Sequence, residues 1–429
     1  MGALCARSVA FKPTDDANSI PAVKVLVVGS GGREHALAWK LAQSPRLAEL
    51  HAAPGNPGIA RLGACHPVRP DDAEGLLALA HSLELDLVVV GPEAPLVAGV
   101  ADVLRHGGVR VFGPSAAAAR IEGSKRFAKD VMQAAGVATA ADLAVARPPC
   151  VVKADGLAGG KGVFVCRSQE ELDAALRAVS ALGGDFVVEE LLEGEELSVF
   201  AVCDGSRALA LAPARDFKRA YDGDAGPNTG GMGAYSPVAT PFELGDLVEA
   251  VHEPVLSELA RRDAPFVGLL YAGLMLMADG PRVLEFNCRF GDPETQAILP
   301  RLDGDLLGAL AAAAAGNLGD AAVTASDEAA VTVVLAARDY PRGSDSGSPI
   351  DGIDEAESEG AVVFHAGTAL RGDRLVTNGG RILNVSATGT TVAEARARAY
   401  AAAEQIRFEG AWFRTDVALE AAQNGAPVG

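Results

Sequence analysis

The chain has 429 residues, 49% of them hydrophobic, and a formal net charge of −19. That length allows about three domains. The charge argues against a broad nucleic-acid-binding face, which is usually basic, and no apolar run approaches the ~18 residues of a membrane span. The six cysteines lie far apart without a C-x-x-C pair, which fits neither a zinc site nor a disulfide framework and points to a reducing, cytoplasmic setting.

Residues 1–22 lack the apolar stretch of a signal peptide, and Asp15 and Asp16 argue against a transit peptide, so they read as a disordered leader. From Val23 to about Gly113, fully apolar strands ("VKVLVVG", "LDLVVVGPEAPL", "VRVFGPS") alternate with helical segments. Strands of that kind belong to a parallel sheet covered on both faces. The first runs into "SGGREHALAW", which tests as a dinucleotide turn and fails. Gly29, Gly31 and Gly32 supply a tight turn, but Glu34 stands at the third glycine position. About 20 residues on there is no acid for a cofactor ribose. What remains is a helix N-terminus friendly to a small phosphate, or a purely structural turn.

Residues 114–149 read as one helix followed by a linker. "KADGLAGGKG" then lies between two apolar strands, so it is a hairpin flap. It is not a P-loop, because Asp155 precedes Lys161 by six residues and Gly162 follows it. Three of its four glycines, Gly159 and Gly160 among them, sit between Lys153 and Lys161, and Gly162 follows. They leave backbone N–H groups open to phosphate oxygens; the alternative is a surface hairpin with its lysines in solvent. A helical stretch at 168–181 follows. "FVVEELLEGEELSV" then reads as a hinge between two lobes, where backbone groups of Glu190 and Leu192 would read an adenine edge and the Glu196 carboxylate would accept from ribose hydroxyls.

A larger α+β region spans about Glu196 to Ala325, with a Gly/Asn/Pro-rich loop at 222–237 and an Ala-rich helix near 306–316. It contains "PRVLEFNCRFGDPETQ", in which an extended strand would turn Glu285, Asn287 and Arg289 to one side. A carboxylate beside an amide oxygen suits Mg²⁺, a hard cation that completes its shell with phosphates and water. Arg289 adds a planar fork for a substrate carboxylate. Residues 329–425 carry their own strands ("AAVTVVLAA", "AVVFHAG", "GRILNVSATG") and a long helix beginning near Val392.

Glycine flap, glutamate hinge and carboxylate strand, in that order, resemble the ATP-grasp fold. The set "GSGGREHALAWK", "VGPEAPLVAGV", "FGPSAAAARIEGSK", "GPNTGGMGAYSP", "EFNCRFGDPETQ" and "VTNGGRILNVSATG" is similar, over nearly the whole chain from Val23, to the phosphoribosylamine–glycine ligase (glycinamide ribonucleotide synthetase) family. The resemblance implies an α/β and α+β multidomain protein. After the leader come a Rossmann-like N-terminal substrate domain (23–123), an ATP-grasp small lobe (124–195), a large lobe (196–328) and a small C-terminal α+β domain (329–429). It implies the second step of de novo purine synthesis, in which ATP, glycine and 5-phosphoribosylamine give glycinamide ribonucleotide, ADP and phosphate through glycyl phosphate, with Mg²⁺ or Mn²⁺, in a cytoplasmic monomer without nucleic-acid or membrane partners.

By the same resemblance Lys125, Lys153 and Lys161 would meet ATP phosphates, Glu285 and Asn287 would hold the metal, and Arg289 would orient the glycine carboxylate. Gly31, Gly32 and Glu93 would face the ribose phosphate substrate, gripped from the C-terminal domain by Asn378, Gly379, Gly380 and Arg381. Asn228, Thr229 and Gly230 would line the reaction centre. The family usually reads Gln-Asp-His-Lys-Arg where this chain has "RDFKR", so roles of the residues replaced by Arg215 and Phe217 do not carry over. The small-lobe segments before "CVVKADG" and around "SALGGDF" are also short. The alternative reading is a catalytically impaired ATP-binding relative of the same fold.

Overall fold

The computed structural model describes residues 22–157, 159, 162–319 and 321–424; the proposed leader, except residue 22, lies outside them. Five short parallel strands form the first sheet, in the order Ala64–Cys65, Leu47–Pro54, Val23–Gly29, Leu87–Val90, Val111–Phe112. The central strands are buried because helices cover both faces. The strand order reverses between Val23–Gly29 and Leu87–Val90, and a ligand crevice opens outside the carboxyl ends of strands at such a point. The Gly31–Gly32 turn and Glu93 follow those two strands directly.

The expected single helix after Pro114 is two, Ala116–Gly123 and Lys125–Ala135. Ser124 breaks them: its backbone is extended and its hydroxyl accepts from the Phe127 N–H at 3.2 Å, so it ends one helix and caps the next. Lys125 thereby becomes the first residue of the second helix.

Cys150–Ala154 and Val163–Cys166 form an antiparallel hairpin, with Phe186–Glu190 on the other side of Cys150–Ala154. Helix Gln169–Ala181 packs Leu172, Ala175 and Val179 against this small sheet. The largest sheet has eight strands, running Gly280–Asn287, Val267–Met277, Glu195–Asp204, Ala208–Asp216, Gly233–Ser236, Ala329–Ala336, Arg381–Gly389, Val362–His365. A separate three-stranded sheet, Asp345–Pro349, Arg374–Gly379, Thr368–Arg371, carries Asn378 and Gly379. In the eight-stranded sheet, hydrogen bonding passes without a break from Gly233–Ser236 to Ala329–Ala336, so the expected large lobe and C-terminal region share one sheet. The region read as a loop at 222–237 contains the turn and second strand of the hairpin Arg219–Tyr221/Ala225–Asn228, and then strand Gly233–Ser236.

Candidate active site

A cavity of about 780 Å³ lies between the small sheet and the end of the large one. Lys125, at its helix start, places its ammonium 2.7 Å from the Glu285 carboxylate. Chiefly through that ammonium, the Glu285 carboxyl is held down at about 2 despite burial. Lys153 reaches in from the hairpin, 2.6 Å from Glu189 and donating to the Leu284 carbonyl at 2.8 Å. The Lys125 backbone N–H donates to Asp155 at 2.6 Å, tying this helix to the base of the flap. Gly159 lines the cavity; Gly160 and Lys161 fall outside the described residues.

Glu285 and Asn287 both line the cavity, but the strand ends at Asn287 and Arg289 lies beyond it. The Cys288 N–H, which would continue the ladder, donates instead to Glu122 at 2.7 Å. Arg289 still points into the cavity, between Glu93 at 3.2 Å and Glu122 at 3.4 Å. Burial works to raise the Glu93 carboxyl, but Arg289 and Arg33 overcome it and leave it at about 2. Glu122 and Arg33 lie within the stretches "FGPSAAAARIEGSK" and "GSGGREHALAWK", but sequence reasoning gave neither a role. Glu294, also on the cavity wall, is raised by burial and by the charge of Asp216.

At the hinge, the Glu190 N–H donates to the Ala141 carbonyl at 3.0 Å and its carboxylate accepts from the Ala141 N–H at 2.8 Å. The N–H half of the expected edge-reading pair at Glu190 is therefore already used within the chain. Leu192 is buried against Ala140 and Met275, an apolar wall suited to a flat ring. Glu196 meets Lys218 at 2.6 Å, and Lys218 meets Asp216 at 2.7 Å. Sequence reasoning kept Asp216 and Lys218 as retained motif residues but gave them no role.

A second recess of about 470 Å³ adjoins the first, lined by Gly31, Asn56, Tyr340, Asn378 and Gly380 among others. Arg381 and Asp292 border both recesses and pair at 2.9 Å. Arg381 also donates to the carbonyls of Gly230, Gly231 and Asp292. Gly379 packs against Gly367, where a Cβ would lie 2.8 Å from the Gly367 Cα. Gly32 packs under Asn384 and Gln296, with 2.2 Å and 2.8 Å left for a Cβ. The Gly31 N–H donates to Glu34 at 2.6 Å, so this carboxylate sits over the turn where a dinucleotide pyrophosphate would need to bind. Asn228, Thr229 and Gly230 edge the first cavity, and Asn228 donates to the Val163 carbonyl of the flap at 3.2 Å.

Among the described residues no group of three His, Cys, Asp or Glu side chains is set to hold a metal. Glu285 and Asn287 offer two hard oxygen donors, which fits a cation that takes its other ligands from phosphates and water.

Three family models match the chain: the phosphoribosylglycinamide synthetase N domain over residues 23–122, its ATP-grasp (A) domain over 123–295 and its C domain over 330–420. The chain is similar to the phosphoribosylamine–glycine ligases of Streptomyces coelicolor, at 52% identity over 93% of this chain and 100% of that one, and Mesorhizobium japonicum, at 50% over 93% and 98%. The crystal structure of the Thermotoga maritima phosphoribosylamine–glycine ligase superposes with a TM-score of 0.80 at 37% identity, covering 92% of this chain and all of that one. The biotin carboxylase domain of Hydrogenobacter thermophilus 2-oxoglutarate carboxylase, described in complex with MgADP, shares the fold at a TM-score of 0.66 and 18% identity, over 92% of each chain.

Proposed function

The chain belongs to the phosphoribosylglycinamide synthetase family, carbon–nitrogen ligases of purine biosynthesis that join glycine to phosphoribosylamine, and from that premise we propose how its two recesses divide the reaction. A carboxylate is a poor electrophile, so ATP first phosphorylates glycine, giving glycyl phosphate and ADP. The amino group of phosphoribosylamine then attacks the carbonyl carbon, and phosphate leaves with the former carboxylate oxygen. The ligase needs to place three ligands and stabilise charge on the transferring group.

Lys125, Lys153 and Lys161 take the ATP phosphates. Leu192, with Glu190, holds the base, and Glu196 the ribose. Arg289 presents its fork to the glycine carboxylate, and Asn228, Thr229 and Gly230 border the reaction centre. Gly31, Gly32 and Glu93 face phosphoribosylamine, whose phosphate occupies the second recess beside Asn378, Gly379, Gly380 and Arg381. Glu285 and Asn287 would hold Mg²⁺, or Mn²⁺, which when bound offsets negative charge on the phosphates. We place the domain limits at 23–123, 124–195, 196–328 and 329–429, and the enzyme in the cytoplasm as a monomer.

The observation that carries this assignment is the junction of the two recesses at Arg381 and Asp292. It sets a polar recess lined by glycine, asparagine and Arg381 beside a cavity rich in lysine, arginine and carboxylate. Arg381→Ala tests it: the KM for phosphoribosylamine should rise roughly 10-fold or more with the KM for ATP little changed. An unchanged phosphoribosylamine KM would contradict it.

A further inference from the structure

The C-terminal segment interlocks with the hairpin that leads to Asn228. Arg414 is 2% exposed and lies outside the lining of both recesses. Its guanidinium donates to both oxygens of Asp416 at 2.7 Å, to Asp224 at 2.9 Å and to the Arg219 carbonyl at 3.0 Å. Its face lies 5.0 Å from the centre of the Phe217 ring. The grip is returned: Asp416 accepts from the Gly223 N–H at 2.8 Å, and Asp222 accepts from the Thr415 N–H at 2.8 Å and from the Thr415 hydroxyl.

These contacts bracket Lys218. The Phe217 ring precedes it and the Arg219 carbonyl follows it, both held by one guanidinium. Lys218 carries its ammonium to Glu196 and Asp216 in the cavity, and its carbonyl accepts from the Thr229 N–H at 2.8 Å and the Thr229 hydroxyl at 2.9 Å. Asn228, the next residue back, reaches the flap carbonyl of Val163. A buried, planar, fully engaged guanidinium on the far side of this loop fixes its position far more tightly than a flexible ammonium would. It also accounts for Phe217, which offers Arg414 an aromatic face.

We propose that Arg414 is a positioning residue for the ligase reaction, holding Lys218, Asn228 and Thr229 in place through the Phe217–Asn228 loop from outside the cavity. The inference rests on the functional reading above.

Three single variants and one double variant, Arg414→Lys with Phe217→Leu, test it, assayed beside the unaltered chain for kcat, for the KM of each substrate and for thermal unfolding. The single variants are Arg414→Lys, which keeps the charge and loses the fork; Phe217→Leu, which removes the ring face; and Thr415→Val, a change at an exposed position that loses the hydroxyl bond to Asp222. Arg414→Lys should lower kcat per folded molecule roughly 10-fold or more, and Thr415→Val roughly 2- to 3-fold with little change in unfolding temperature. Arg414→Lys and Phe217→Leu together should cost less than the product of their separate effects, because they disrupt one contact. Amide exchange at Thr229 and Gly231 should quicken in Arg414→Lys. If Arg414→Lys does not fold, Thr415→Val decides the matter alone. An active parent whose variants lose only stability, with unchanged kcat and unchanged exchange at 229–231, would overturn this inference by itself. An inactive parent would overturn the functional reading and this inference with it.

Discussion

Lys125 and Glu285 neutralise one another, and each is the other's nearest charge in a buried setting. Replacing Glu285 by Gln removes the carboxylate but keeps the shape. It should lower turnover at saturating ATP and glycine by roughly 100-fold or more while the chain stays folded by circular dichroism. Turnover like that of the unaltered chain would sink the metal assignment. At Gly32 the constraint is steric. An added methyl group meets the Asn384 amide nitrogen at 2.2 Å, so Gly32→Ala should destabilise the fold by about 1–3 kcal/mol, read from urea unfolding, and raise the KM for phosphoribosylamine. A stability equal to that of the parent would mean Asn384 swings aside without cost. Lys153, Glu285, Asn287 and Arg289 were legible in the sequence because flap and strand motifs mark them; Lys125 came from the family resemblance, and Lys161 lies outside the described residues. Glu122 was not: it is one glutamate in an alanine-rich helix, and only the fold brings it to Arg289 and the Cys288 N–H.

Between Ala116 and Ala135 the chain makes two helices where periodicity alone reads one, and the break places Lys125 at a helix start. Ser124→Ala removes the cap and should cost about 1 kcal/mol in denaturant unfolding, with a raised KM for ATP because the Lys125 N–H bond to Asp155 depends on that turn. A loss of stability with no change in the KM for ATP would show that Lys125 holds its place without the cap. A lone serine within a helical pattern is a weak signal, which is why the break stayed hidden. Leu47–Pro54 and Ala64–Cys65 carry no continuous apolar run and were not read as strands, but the other three parallel strands and the flap hairpin were plain, since apolar runs bounded by glycine leave few alternatives. The hairpin Arg219–Tyr221/Ala225–Asn228 was not. Its glycines, aspartates and asparagine have little strand preference, and what holds it is Arg414, 195 residues from Arg219 in the chain. No local pattern carries that information.

At the scale of the molecule, residues from every part of the described chain meet at two adjoining recesses, and the sheet linking Glu195–Asp204 to Arg381–Gly389 is one continuous frame. Sequence patterning gave separate segments and could not show that the large lobe and C-terminal strands pair edge to edge. The interior also sets the pH response. Burial lowers His252 and His365 to about 4, and burial with the neighbouring His365 holds His35 well below its ordinary value. In the unfolded chain these imidazoles titrate near ~6.5, so between about pH 4 and 6.5 the unfolded state binds more protons. Their contribution to stability is therefore complete above about pH 6.5 and is lost as pH falls toward 4. Between pH 5 and 6 these rings should take up roughly two to three protons on urea unfolding, offset by about one released from Glu294, which burial holds up at about 7; the absence of any net uptake would contradict neutral burial of these rings.

The central claim is that this cavity joins glycine to phosphoribosylamine at the expense of ATP. Its most direct test is ADP release from ATP and Mg²⁺ with glycine, with and without phosphoribosylamine generated in place from ribose 5-phosphate and ammonia. Release that requires both substrates, with one glycinamide ribonucleotide formed per ADP, is the predicted result. Saturable ATP binding with no release when both substrates are present would contradict it and leave the chain an impaired ATP-binding member of its family.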